Sequence, residues 1–357
     1  MKLRIVQVGV GPSGIGATWL QAIGESPDWS LVGVVDTVAD HRAVAAQRAG
    51  LGPEQCFEDV ARAVQALAPD AVAVVVSSPL HAALCTQALQ AGVHVVVEKP
   101  FTTTFAEARE LTLLAEQRGL RLMVDQNYRY LRDIRLLRRA VVEGYPGGQP
   151  RVPEFVAVSF DCLWPPRPYQ SGMADTMLLE MAVHHLDALR FVLGSEAQTV
   201  SAQSWRPSWS VYAGDTWITA QFQFHNGVRA AYQGSLESPG VRSPWPGLWR
   251  IACHQDTLHL ADLGQGYGVY VSRDPDQVER LTLPEEGPTD PASAIRGTLV
   301  EFAAALREGR PPQSDARDNL RTLAMAFAIP RSSAERRIVT VEQEFFADEA
   351  RAGRHEA

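Results

Sequence analysis

Leu3-Arg4-Ile5-Val6-Gln7-Val8-Gly9-Val10-Gly11-Pro12-Ser13-Gly14 is the stretch from which the fold is read. An apolar strand pattern (3–8) runs into a glycine turn, a helical stretch (Ile15 to Ile23), a second strand (Ser30 to Val35) and an acid, Asp36. Gly9 is expected to permit the tight turn, Gly11 to let backbone approach a pyrophosphate, and Gly14 to let helix and strand pack closely. With Pro12 and Ser13 in the turn, the helix N-terminus offers free N–H groups and a positive dipole end to an anion. Asp36 can accept hydrogen bonds from adenosine ribose hydroxyls, and its charge repels a 2′-phosphate. Glycines alone would mean an ordinary turn. Strand, turn, helix, strand and acid together predict a dinucleotide site that prefers NAD to NADP, with nearby Arg42 as the counterweight.

The alternation continues through helices Ala43 to Ala49, Glu58 to Leu67, His81 to Ala91 and Glu107 to Gln117. Between them lie apolar strands at Ala71 to Val76, Val93 to Val97 and Leu120 to Val124. Such runs, buried on both faces and separated by helices, predict a doubly wound parallel sheet of the Rossmann kind. Ligands of such sheets sit beyond the carboxyl ends of the strands. That draws attention to Ser77-Ser78-Pro79, Glu98-Lys99-Pro100 and Asp125-Gln126-Asn127-Tyr128-Arg129.

The 357 residues, too many for one ordinary domain, carry 33 basic and 41 acidic side chains, a net charge of −8. That balance argues against a general nucleic-acid or anionic-membrane binder. Of the basic stripe Arg129, Arg132, Arg135, Arg138 and Arg139, all but Arg129, which lies nearest the strand end, therefore read as a solvated helix face. No apolar run is long enough to span a membrane, and residues 1–8 already form a strand pattern rather than a signal peptide. Four dispersed cysteines without C-x-x-C fit a reducing cytoplasm. Of the basic residues only Lys2 and Lys99 are lysines. A chain that writes arginine almost everywhere keeps at position 99 a compact amine whose pKa can shift.

Glu98-Lys99-Pro100 after a strand, the stretch from His81 to Val95, Asn127-Tyr128-Arg129 and a later His-x-x-Asp helix make the chain resemble the glucose–fructose oxidoreductase/inositol dehydrogenase (Gfo/Idh/MocA) family. The resemblance implies a catalytic role for Lys99 and a cis peptide before Pro100. By position it also places Ser77, Ser78, His81, Glu98 and Lys99 at the cofactor.

Past Asn127 the pattern changes. Glu154 to Asp161, Thr199 to Trp205, Trp217 to Phe224, Val228 to Leu236, Leu248 to Cys253 and Thr257 to Asp262 read as strands, with Asn226-Gly227 as a hairpin signal. The fold class is thus an α/β Rossmann domain over residues 1–126 and an α+β domain over 127–345 with an open, largely antiparallel sheet. A flexible tail is expected over 346–357. Aromatic residues on the open face, including some of the tryptophans, predict a homodimer or homotetramer through that sheet.

The helix expected from Thr176 to Leu193 holds Glu180, His184, His185 and Asp187. At about 100° per residue, His184 lies about 40° from Glu180 and Asp187 about 20° on the other side, whereas His185 points elsewhere. The segment alone reads equally well as the solvated side of an amphipathic helix. Glu180 and His184 have metal-ligand spacing, but H-E-x-x-H and a second ligand pair are absent, so no metal is expected. The resemblance selects Glu180, His184 and Asp187, with Glu180 and Ala182 standing where Asp and Gly are usual. It implies an NAD-dependent dehydrogenase acting on a secondary hydroxyl of a sugar, inositol or related polyol. His184 would be the base, Lys99 would hold the reacting oxygen, Glu180 would orient the substrate and Asp187 would tune His184. Asn127, Tyr128 and Arg129 would floor the pocket. The alternatives are an NAD-dependent glycosidase working by transient oxidation and elimination, and a non-catalytic NAD-binding regulator with no need of both Lys99 and His184.

Overall fold

The computed structural model describes residues 1–284 and 287–347. It begins with β1 (Leu3–Val8), α1 (Ile15–Glu25), β2 (Trp29–Val35), α2 (Ala39–Ala49), β3 (Cys56–Phe57) and α3 (Val60–Leu67). Then come β4 (Ala71–Val74), α4 (His81–Gln90), β5 (His94–Val97), α5 (Phe105–Gln117) and β6 (Leu122–Val124). Next are α6 (Arg132–Arg138), β7 (Pro153–Asp161), α7 (Val183–Leu193), β8 (Ala197–Trp205), β9 (Trp217–Phe224) and β10 (Arg229–Ser235). They are followed by β11 (Leu248–Cys253), β12 (Thr257–Asp262), β13 (Tyr267–Asp274) and β14 (Gln277–Arg280). The last elements are α8 (Pro291–Glu308), α9 (Ala316–Glu335), β15 (Val339–Thr340) and α10 (Val341–Phe345). They form two compact units, residues 1–130 with 290–320, and residues 131–289 with 321 onward.

In the first unit six parallel strands take the order β3-β2-β1-β4-β5-β6. The strand order reverses between β1 and β4, the switch point at which such sheets bind ligands. Val6, Val72, Val95 and Val96 are wholly buried, which is why these strands read as continuous apolar runs.

This unit takes in residues 290–320, which the sequence reading assigned to a continuous 127–345 domain without recognising their helices. The physical reason lies at two uncovered surfaces. Trp29 stacks on Phe302 with centroids 5.6 Å apart, and its indole N–H donates to the Leu299 carbonyl at 2.8 Å. At the sheet edge, Val124 N–H donates to the Ser314 carbonyl (2.9 Å), and Ser314 Oγ donates back to the Val124 carbonyl (2.7 Å). The returning chain therefore covers β6, whose edge would otherwise present unpaired backbone.

The second unit holds a nine-stranded sheet, β14-β13-β12-β11-β7-β10-β9-β8-β15. β7 and β10 are parallel and all other neighbours antiparallel. The Asn226-Gly227 turn joins β9 to β10 as read, with Gly227 at φ +88°. β13, β14 and β15 were not foreseen. Along β9, buried Ile218, Ala220, Phe222 and Phe224 alternate with outward Thr219, Gln221 and Gln223. Of the expected tail, Phe346 is buried under the Arg321 guanidinium, 4.1 Å from its ring, and 348–357 lie outside the described residues.

The β1–α1 turn shows what its glycines do. Gly9 has φ +85°, and a Cβ there would lie 2.0 Å from the Val75 carbonyl oxygen. Gly14 has φ +67° with nothing among the described residues within 4 Å of its missing Cβ, so conformation rather than close packing requires it. Gly16 supplies the close packing instead, because its Cβ would stand 3.1–3.3 Å from backbone atoms of Gly9 and Gly11. Gln7, wholly buried, donates from one amide nitrogen to the carbonyls of Gly9 (2.9 Å) and Gly16 (2.8 Å), tying the turn to β1. Gly14→Ala should destabilise by about 1–3 kcal/mol in urea unfolding, the range for a strained backbone. Gly9→Ala adds overlap with a main-chain oxygen and should exceed about 4 kcal/mol; equal losses would refute this division of roles.

Candidate active site

Among the described residues, chain neighbours aside, the only heavy atom a Cβ at Gly11 would approach within 4 Å is the Ser13 carbonyl oxygen, at 3.9 Å, so backbone is open to an incoming group there. Pro12, Ser13 and Gly14 are exposed ahead of α1, whose N-terminal N–H groups face the same turn. Asp36 follows β2, and its carboxylate accepts from Val38 N–H through Oδ1 (2.9 Å) and from Val10 N–H through Oδ2 (3.0 Å). His41 Nδ1 lies 3.3 Å from Oδ2. Oδ1 keeps acceptor capacity for a ribose hydroxyl. Arg42 is engaged with the Asp36 carbonyl (2.6 Å) and the Glu58 carboxylate (2.7 Å). Open backbone, helix amides and a carboxylate at the switch point fit a dinucleotide.

After β4, Ser77 is exposed and Ser78 buried. His81, offered to the cofactor by the sequence reading, is instead wholly buried at the start of α4. Its ring lies between the carbonyls of Pro100 (Nδ1, 2.8 Å) and Val76 (Nε2, 3.1 Å), and burial pushes its pKa down. It stitches the end of β4 to the Lys99-Pro100 turn, whose peptide is cis as expected. Lys99 is half-buried on that turn.

Glu98 also turns inward. Its carboxylate accepts from the Trp19 indole (2.6 Å) and from Lys99 N–H (3.1 Å), and it hydrogen-bonds the Asp125 carboxyl. Asp125 accepts from Thr298 Oγ1 at 2.5 Å. Burial, opposed by the Lys99 ammonium, raises the Glu98 pKa; burial and then the Glu98 charge raise that of Asp125 well above the ordinary range. Trp19 and Thr298 were missed, since Trp19 reads locally as an unremarked helix position and Thr298 lies in a stretch whose helix was not recognised.

The expected pocket floor is redirected as well. Asn127 donates to the Pro291 carbonyl (2.9 Å), Tyr128 is buried, and Arg129 is bound to the Gln313 carbonyl and the Asp318 carboxylate, both at 2.5 Å. Asn127 and Arg129 thus hold 290–320 in place. Gln126, in the stretch inspected after β6 but given no role there, has a side-chain amide that is wholly buried with no hydrogen-bond partner among the described residues.

In the second unit the expected helix divides. Residues Leu178–Ala182 form a π turn before α7, which shifts Glu180 out of the phase that 100° per residue assumes. From Met181 to Arg190 every residue is buried, so the solvated-face reading is excluded. His184 is 7% exposed on α7, and Glu180 accepts from the Tyr169 hydroxyl at 3.1 Å. Asp187 accepts from Thr322 Oγ1 (2.7 Å) and lies 3.6 Å from Arg190 Nη1. His185 is spoken for: Trp245 offers only a carbonyl, so Nε2 carries the proton and donates (2.9 Å), while Nδ1 accepts from the Tyr232 hydroxyl (3.0 Å).

A model of the oxidoreductase family with NAD-binding Rossmann fold matches residues 3–126, and one of the GFO/IDH/MocA C-terminal domain matches 139–258. The D-apiose dehydrogenase of Paraburkholderia graminis is 30% identical over 314 residues, 85% of this chain and 81% of that protein. Inositol 2-dehydrogenase of Rhizobium meliloti is 26% identical over 96% of this chain and 100% of its own. The crystal structure of an oxidoreductase from Agrobacterium radiobacter with NAD+, L-tartaric acid and magnesium shares the fold, with TM-score 0.84, 21% identity, and coverage of 96% and 99%. The chain belongs to the GFO/IDH/MocA oxidoreductase family. It is a dehydrogenase or reductase acting on CH–OH groups with NAD as cofactor. Among the described residues no helix is long and apolar enough to cross a membrane.

Burial pushes the His185 pKa from 6.5 down to about 4. Between those values the unfolded chain binds the extra proton, so stability is complete above the unfolded pKa and falls as pH drops toward 4. Between pH 7 and 4 the wild type should lose up to about 3 kcal/mol more than His185→Gln. Parallel stability curves from urea unfolding would show that His185 is not held neutral.

Proposed function

We propose that the protein moves a hydride between NAD and a secondary alcohol or ketone of a sugar, inositol or related polyol. The observation that carries this reading is a half-buried lysine at the end of β5, in the unit that also bears the Gly11 turn and Asp36. The relatives named for apiose and inositol support the substrate class. Gly11, Ser13 and the α1 amides would hold the pyrophosphate and Asp36 the ribose, with NAD preferred because Arg42 is already paired. NAD, when bound, supplies the hydride acceptor or donor. In oxidation His184 removes the hydroxyl proton, and Lys99 donates a hydrogen bond to the oxygen as negative charge develops. Glu180, aimed by Tyr169, receives a substrate hydroxyl. Asp187, through Thr322 and Arg190, fixes the helix that carries His184.

An NADH absorbance screen over polyols tests this. Lys99→Arg should bind NAD yet lose about 10² or more in turnover, and His184→Ala about 10²–10⁴. Asp36→Ala should weaken NAD binding and narrow the preference over NADP. Glycoside cleavage without net NADH would replace the dehydrogenase reading.

We also infer self-association through the outward face of the nine-stranded sheet. Ser159, Ser201, Gln203, Thr219, Gln221 and Gln233 line a trough of about 1160 Å³ there. Trp205, one of the aromatics expected on this face, lines the same trough and lies against Trp217, and tryptophan is enriched in interfaces. Light scattering should give a dimer or tetramer, and Gln221→Arg should shift it toward monomer with NAD affinity unchanged. A wild-type monomer would end this reading.

A further inference from the structure

Two carboxyl groups, Glu98 and Asp125, are buried in hydrogen-bond contact behind Lys99. Their other surroundings are fixed. Trp19 from α1 donates to Glu98 Oε1 (2.6 Å), Lys99 N–H to Oε2 (3.1 Å), and Thr298 from α8 to Asp125 Oδ1 (2.5 Å). Asp125 Oδ2 is buried with no donor directed at it among the described residues. Two carboxylates in contact in a dry site cannot both ionise. A proton held between the two carboxyls removes that repulsion, and an Oδ2 that carries a proton no longer needs a donor.

We propose that Glu98 and Asp125 share one proton and so present a single buried negative charge to Lys99, which positions its amine. The charged and titratable groups facing this set within the unit are Lys99 itself and His81 of α4, whose pKa burial pushes down. One negative charge balances one ammonium without drawing a second cation into the interior. Glu98 and Asp125 are thus positioning residues. The proposal rests on the reading of Lys99 as the group that meets the reacting oxygen.

The chain has only two lysines, Lys2 and Lys99, so the Lys99 amine can be observed directly. Reductive ¹³C-methylation of the full chain gives NMR signals for the N-terminus, Lys2 and Lys99, titrated without substrate or NAD. Asp125→Asn reproduces the protonated pattern, its amide donating to Glu98 and its oxygen accepting from Thr298. It should leave the Lys99 titration within about 0.3 unit of wild type. The double variant Glu98→Gln/Asp125→Asn removes the charge and should lower the Lys99 pKa by about one unit or more, with Lys2 unmoved. A one-unit fall in Asp125→Asn alone would mean two ionised carboxylates, and no fall in the double variant would mean Lys99 does not sense the pair. Either overturns the proposal. Should the double variant not fold, infrared spectra of the wild type and Asp125→Asn decide. At neutral pH a protonated-carboxyl band must be present in the first and lost in the second, and its persistence in both overturns the proposal. Because these readouts need no turnover, they stand or fall separately from the polyol screen.

Discussion

The main chain at Gly9 passes so close to the Val75 carbonyl that no side chain fits between them. This contact sets the distance from the end of β1 to the end of β4, and it aims the turn that leads into α1. Gln7 then binds the turn from within, and Gly16 lets α1 lie against it. The open backbone at Gly11 follows from those three constraints, because a turn held from below has its free N–H groups on the outer side. Asp36 is brought to the same place by its bonds to Val10 and Val38.

Much of the first unit was legible because its physics is local. A strand buried on both faces must be apolar throughout, and a turn with positive φ must carry glycine. The division of labour among the glycines was less legible. Gly14 and Gly16 differ in what surrounds a missing Cβ, and only coordinates contain that information. The return of residues 290–320 was hidden for a similar reason. Nothing local marks Phe302 as a partner of the first unit until Trp29 lies against it.

The candidate site divides along the same line. Residue types suited to chemistry were visible at Lys99, Glu180, His184 and Asp187, but whether a polar residue is open to a ligand depends on partners distant in sequence. His81, Glu98, Asn127 and Arg129 all have suitable chemistry, and all are engaged in holding the fold. The two adjacent histidines show the contrast most sharply. His185 has a donor on one nitrogen and an acceptor on the other, an arrangement that suits a neutral structural imidazole. The π turn before α7 was beyond any fixed-period reading, because it changes the angle per residue on which such a reading depends.

The strand-edge cover at Ser314 has a consequence for how the protein is made. The first unit is not complete when its six strands have left the ribosome. Val124 still lacks its partner, and Trp29 still lacks Phe302. Both arrive only after the whole nine-stranded sheet except β15 has been synthesised. During that interval the nascent Rossmann sheet carries an open edge and an uncovered indole, the features that attract chaperones and misfolded partners. Synthesis of the second unit therefore lies inside the folding of the first, and the two cannot mature in simple succession.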